Sequence, residues 1–75
     1  AENYNEFKQK LQQQFAAKPE KVEVRYKQSM DGTMQDIKKV LNEINWPKGA
    51  KRVSYQVAPY SALAGYSLAT ITFTY

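Results

Sequence analysis

Few side chains of this 75-residue protein could do chemistry, because the chain contains neither histidine nor cysteine. Without them it cannot build a Ser-His-Asp or Cys-His nucleophile, a thiolate zinc site or a disulfide. Two carboxylates can still act together as acid and base, as in glycoside hydrolysis, so the seven acidic residues are the remaining candidates. They are Glu2, Glu6, Glu20, Glu23, Asp31, Asp36 and Glu43.

All seven carboxylates fall at predicted helix caps, turns or solvated faces, where acidic residues are common. The three glycines, Gly32, Gly49 and Gly65, are scattered and make no phosphate-binding loop. We therefore expect no catalytic, cofactor-binding or metal-binding residues, and a protein that is not an enzyme.

Length and charge describe one small domain, residues 1–75, with a marginal core. The chain has a mass of 8.7 kDa and a net charge of +4. Domains below about 70–80 residues often depend on disulfides, metals or oligomerisation. Since the first two are not expected, we expect a second copy or a docked protein partner to cover part of the surface.

The N-terminal residues leave localisation open. The first ten contain no apolar stretch and do not form a signal peptide. Ala1 fits an excised initiator methionine in a cytoplasmic protein, and it also fits cleavage of a signal peptide from an exported one.

Periodicity predicts five elements that must position these residues. Apolar residues spaced by three and four predict helices over 3–17, with Asn3 as cap, and over 33–45, with Thr33 as cap after a turn at Asp31-Gly32. Alternation of apolar and polar residues predicts strands. The predicted strands are 21–27, 51–58 and 66–75.

The order α-β-α-β-β predicts a two-layer α+β fold, with both helices packed on one face of a three-stranded sheet. A right-handed helical crossover favours the split β-α-β arrangement, in which the last strand lies between the other two. A meander with the second strand in the centre is the alternative.

The C-terminal third is unusual because residues 53–75 carry no charged side chain. Its serines, threonines, Gln56 and Pro59 argue against a membrane span. Edge strands usually carry charges that block pairing with other chains. The last strand is therefore either central, or its edge pairs with another protein.

The predicted hairpin tip, APYSALAGYS, is richer in large apolar and aromatic residues than loops usually are. Strand alternation puts Tyr60, Tyr66 and Leu68 on the solvent face, unless a bulge near Pro59 changes the parity. Exposed tyrosines suit protein recognition. We therefore predict a partner-binding surface at Tyr60, Leu63, Tyr66 and Leu68; rings folded back over the core are the alternative.

The same solvent face collects basic residues, which predicts nucleic-acid binding as the runner-up function. The candidate residues are Lys21, Arg25, Lys27, Lys51 and Arg52. A third hypothesis is that the chain is an independently folding domain of a larger protein, whose neutral segments contact its neighbours. The leading hypothesis remains a non-enzymatic module that binds a protein or a second copy of itself.

Overall fold

The computed structural model describes all 75 residues and contains two helices and three strands. In chain order they are α1 (Tyr4–Phe15), β1 (Lys21–Tyr26), α2 (Met30–Glu43), β2 (Arg52–Pro59) and β3 (Ser67–Thr74). This order confirms the predicted α-β-α-β-β fold. Neither helix has the length and apolar character needed to cross a membrane.

The first helix begins at its predicted cap and ends at Phe15, two residues before the predicted end at residue 17. The Asn3 side chain accepts a hydrogen bond from the Glu6 backbone N–H at 2.9 Å, which satisfies one of the free donors of the first turn. Phe7, Leu11 and Phe15 are buried along one face. After the helix, Lys18 adopts a left-handed φ of 52° immediately before Pro19.

The second helix begins three residues earlier than predicted, and the predicted cap and turn are wrong. Ser29 is the N-cap and accepts a hydrogen bond from the Gly32 backbone N–H at 3.1 Å. Asp31 lies in the first helical turn, where its negative charge favours the helix N-terminus. Asp31-Gly32 is therefore part of the helix, and Thr33 is buried rather than capping.

The buried Thr33 hydroxyl has no hydrogen-bond partner, which is costly inside a protein. We expect Thr33→Val, which keeps the shape and removes the hydroxyl, to stabilise the fold by about 1 kcal/mol. Denaturant unfolding measures this change. Thr72→Val on the exposed sheet face is the control and should change stability by less than about 0.5 kcal/mol. A destabilised Thr33→Val variant would contradict this interpretation.

The sheet has the order β1-β3-β2, and β3 pairs antiparallel with both neighbours. The split β-α-β arrangement is thus confirmed, and the meander is wrong. In the middle of the sheet Ile71 lies opposite Val22 on one side and Tyr55 on the other. The last strand is central, so its neutral outer residues need no edge protection.

The core lies between the helices and one face of the sheet, which we call the inner face. The central strand contributes Ala69, Ile71 and Phe73, and all three are buried. The inner residues of β2, Val53, Tyr55 and Val57, are only half-buried, because β2 is an edge strand. Alternation along the last strand would put Tyr75 on this inner face as well, yet Tyr75 is 43% exposed and its hydroxyl donates to the Pro19 carbonyl at 2.7 Å.

Candidate protein-interaction surface

The orientation of the backbone groups decides which parts of the two edge strands are open. In an antiparallel pair, alternate residues direct both N–H and C=O toward the partner strand. The Tyr60 N–H donates to the Tyr66 carbonyl at 3.2 Å. By the same pairing, the backbone N–H and C=O groups of the even-numbered residues of β2 are directed toward β3. Val53, Tyr55 and Val57 consequently direct their backbone N–H and C=O groups away from the sheet. We call this row the β2 edge.

The opposite edge, on β1, is protected. The Phe73 N–H donates to the Glu20 carbonyl at 2.8 Å, so Lys21, Glu23 and Arg25 direct their backbone groups outward. Ala1 covers the C-terminal end of this edge. Its nitrogen donates to the Arg25 carbonyl at 2.6 Å, and its carbonyl accepts from the Lys27 N–H. The three outward-directed residues are charged, which discourages a further strand.

The β2 edge has no comparable protection. After Arg52 no charge follows along the strand, and its outward residues are two valines and a tyrosine. Pro59 lacks an N–H and so weakens pairing at the far end of the strand only. The predicted site residues do not include this edge, although two sequence signals indicate it: the charges stop at Arg52, and the split arrangement puts the second strand at an edge.

The predicted tip residues differ in how far they are exposed. Pairing continues without a bulge to Tyr60–Tyr66, so Tyr60, Tyr66 and Leu68 keep the parity of the face away from the helices, the outer face. All three are half-buried, and the Tyr60 ring lies 5.6 Å from the Arg25 guanidinium. Only Leu63 is widely exposed, at 44%.

Leu63 and Tyr66 also help to line a groove of about 460 Å³ beside the β1 edge. Lys10 and Gln13 of α1 form one wall of this groove, and Glu23 and Arg25 of β1 contribute to another. Arg25 is common to both contacts, because it lines this groove and also lies over the Tyr60 ring. Tyr60 lies against Arg25, while Leu63 and Tyr66 border the groove.

The basic residues predicted to contact nucleic acid are all exposed, but the structure divides them. Lys21 and Arg25 lie on β1, and Arg52 lies on β2, with the threonines of the central strand between them. Lys27 and Lys51 lie just beyond the strand ends. Glu23 separates Lys21 from Arg25 on the outer face and forms an ion pair with Lys21 at 3.3 Å. The positive charge is thus spread out and partly neutralised.

Two carboxylates connect structural elements. The Tyr4 hydroxyl and the Lys8 ammonium of α1 each donate to the Glu43 carboxylate of α2 at 3.0 Å. These bonds lower the pKa of Glu43, while burial and the bond to Glu43 raise the pKa of Tyr4 to about 12. Similarly, the Tyr26 hydroxyl of β1 donates to Asp36 of α2 at 2.6 Å.

No protein-family model matches the chain, and no curated protein or solved structure matches it.

Proposed function

We propose that this chain is a non-enzymatic protein-binding module that presents its neutral C-terminal hairpin to another protein chain. The observation that carries the proposal is the β2 edge, an unpaired and uncharged row at Val53, Tyr55 and Val57. An extended segment of a partner can add to such an edge as a further strand. Main-chain hydrogen bonds then supply affinity, and the half-buried side chains supply apolar contact.

The hairpin tip extends this surface past the end of β2. Residues 61–65 are all exposed and uncharged, and Leu63 is the largest apolar side chain among them. A partner paired along β2 would run toward this tip or away from it. Either direction avoids the charged β1 edge, which lies across the sheet.

Backbone N-methylation tests the proposal without changing any side chain. The chain is short enough for chemical synthesis, so methyl groups can be placed on the Val57 nitrogen or, as a matched control, on the Glu23 nitrogen of the opposite edge. Each chain is immobilised through Lys18 and exposed to host extract and to a labelled free copy. We expect methylation at Val57 to lower retention of the partner at least tenfold, because it removes an outward N–H and adds bulk.

The control at Glu23 should retain the same partner as the unmodified chain. Equal retention by all three chains would contradict the proposal, and so would an unmodified chain that retains neither extract protein nor labelled copy. If the captured protein is encoded as a continuation of this chain in the host genome, the chain is a domain of a larger protein.

Nucleic-acid binding is the second candidate, because Lys21, Arg25 and Arg52 share the outer face with Tyr60. Fluorescent single- and double-stranded oligonucleotides, titrated at low and high salt, distinguish it. Binding through phosphates would weaken steeply with salt, since neutralised phosphates release counterions. Absence of binding at low salt removes this candidate.

A further inference from the structure

We propose that the partner at the β2 edge is a second copy of this chain, whose β2 pairs antiparallel with the first about a two-fold axis through Tyr55. This inference rests on the proposed function, because it names the occupant of the same edge. It would join two sheets into one of six strands, three from each copy.

The outward backbone groups set the register. With Tyr55 opposite Tyr55 of the second copy, Val53 lies opposite Val57 at both ends of the paired segment. Each of the six outward N–H groups then finds an outward C=O. A shift of two residues toward the tip places Pro59 opposite Val53, which loses a donor because proline has no N–H. The opposite shift brings Val57 opposite Lys51, so a charged residue replaces one of the neutral partners.

The charge distribution favours the antiparallel direction. Lys51 and Arg52 precede the neutral row, so a parallel pair would place four positive charges side by side. About the two-fold axis, Arg52 lies opposite Ala58 and Lys51 opposite Pro59. The two basic ends are then separated by the length of the strand, and Ser54 faces Gln56 on the outer face.

The packing of the layers is consistent with this pairing. The side chains of the paired row, Val53, Tyr55 and Val57, lie on the inner face. Because inner residues of one copy lie opposite inner residues of the other, the helices of both copies would lie on the same side of the joined sheet. Because α2 packs over β2, the two copies of α2 would become neighbours. The half-buried inner residues of β2 would gain a cover that the single chain does not provide.

The arrangement also explains why assembly would stop at two copies. The two-fold pairing uses the same edge of both chains and therefore closes on itself. Both ends of the joined sheet are then β1 edges, which carry Lys21, Glu23 and Arg25 and are partly covered by Ala1. No undefended edge remains to recruit a third chain.

Cysteine mapping tests the register, because the chain has no cysteine of its own. In the paired copies the Cα atoms at position 55 would lie about 5.5 Å apart, within disulfide range. Those at position 53 would lie roughly 14 Å apart, outside it. Under mild oxidation we expect Tyr55→Cys to form a disulfide-linked dimer. Val53→Cys alone and Val57→Cys alone should form no disulfide, and their equimolar mixture should cross-link.

Charge substitutions on the exposed outer face test the same register without touching the inner face. Ser54→Lys with Gln56→Lys places like charges opposite each other in two symmetric pairs, whereas Ser54→Glu with Gln56→Lys places opposite charges there. We expect the second variant to dimerise roughly two- to thirty-fold more tightly than the first. Sedimentation equilibrium gives both dissociation constants, and circular dichroism verifies folding.

Equal cross-linking at positions 53, 55 and 57, or equal dimerisation of the two charge variants, would overturn the two-fold register. A chain that stays monomeric at all concentrations would overturn self-pairing. If such a monomer still captured another protein, and methylation at Val57 abolished that capture, the proposed function would stand without this inference.

Discussion

Replacing Phe7 with alanine should destabilise the fold by about 3–5 kcal/mol. Phe7 is fully buried, and its ring stacks on Tyr26 with centroids 4.4 Å apart. Truncation removes this contact and leaves a cavity between α1 and β1 that neighbouring side chains refill only in part. A 75-residue domain is typically stable by about 4–11 kcal/mol, so this one change would consume much of the total.

Denaturant unfolding followed by circular dichroism measures the effect of Phe7→Ala. Gln9→Ala, on the exposed side of the same helix, is the matched control and should stay within about 0.5 kcal/mol of the unmodified protein. Phe7→Leu should lie between the two, because it leaves a smaller cavity. A Phe7→Ala variant as stable as the control would mean that α1 does not pack on the sheet as described.

Tyr26→Phe is expected to cost about 1.5–3 kcal/mol at neutral pH. The change keeps the buried ring and its stacking on Phe7, and it removes only the hydroxyl that donates to the charged Asp36 at 2.6 Å. This hydrogen bond joins β1 to α2. Tyr66→Phe is the control, because the Tyr66 hydroxyl donates to no protein group and its loss should change stability little.

The stability difference between Tyr26→Phe and the unmodified protein should depend on pH. Burial, followed by the hydrogen bond to Asp36, raises the pKa of Tyr26 above its ordinary value of 10. The protonated hydroxyl therefore stabilises the fold fully below pH 10, and this contribution is lost as the pH rises above 10. Unfolding measured from neutral pH into alkali should show the two proteins converging above pH 10, and a constant difference would contradict the assignment.

Much of the fold follows from local patterns in the sequence. The period of two in KVEVRYK and RVSYQV marks β1 and β2, and the spacing of Phe7, Leu11 and Phe15 marks α1. A right-handed crossover through α2 is compatible with β3 in the centre, but the sequence leaves a meander open, and the pairing of β3 with both β1 and β2 decides the order. The start of α2 differs from the prediction because Asp31-Gly32 is typical of a turn, whereas Ser29 caps the helix and Asp31 lies in its first turn.

The candidate site was predictable only in part. Residue types and alternation place Tyr60, Tyr66 and Leu68 on the outer face. The contact of Tyr60 with Arg25, however, joins residues 35 positions apart in the chain, which local patterns do not predict. The outward direction of the Tyr55 backbone depends on hydrogen-bond parity between β2 and β3. Hydrophobic alternation specifies which side chains face the core, yet not which backbone groups face the partner strand.

The most direct test of the central claim is the solution mass of three synthetic chains over a concentration series. The unmodified chain and the chain methylated on the Glu23 nitrogen should both approach twice the 8.7 kDa monomer mass as concentration rises. The chain methylated on the Val57 nitrogen should remain at 8.7 kDa. A chain methylated at Val57 that dimerises as tightly as the other two would contradict pairing through the β2 edge.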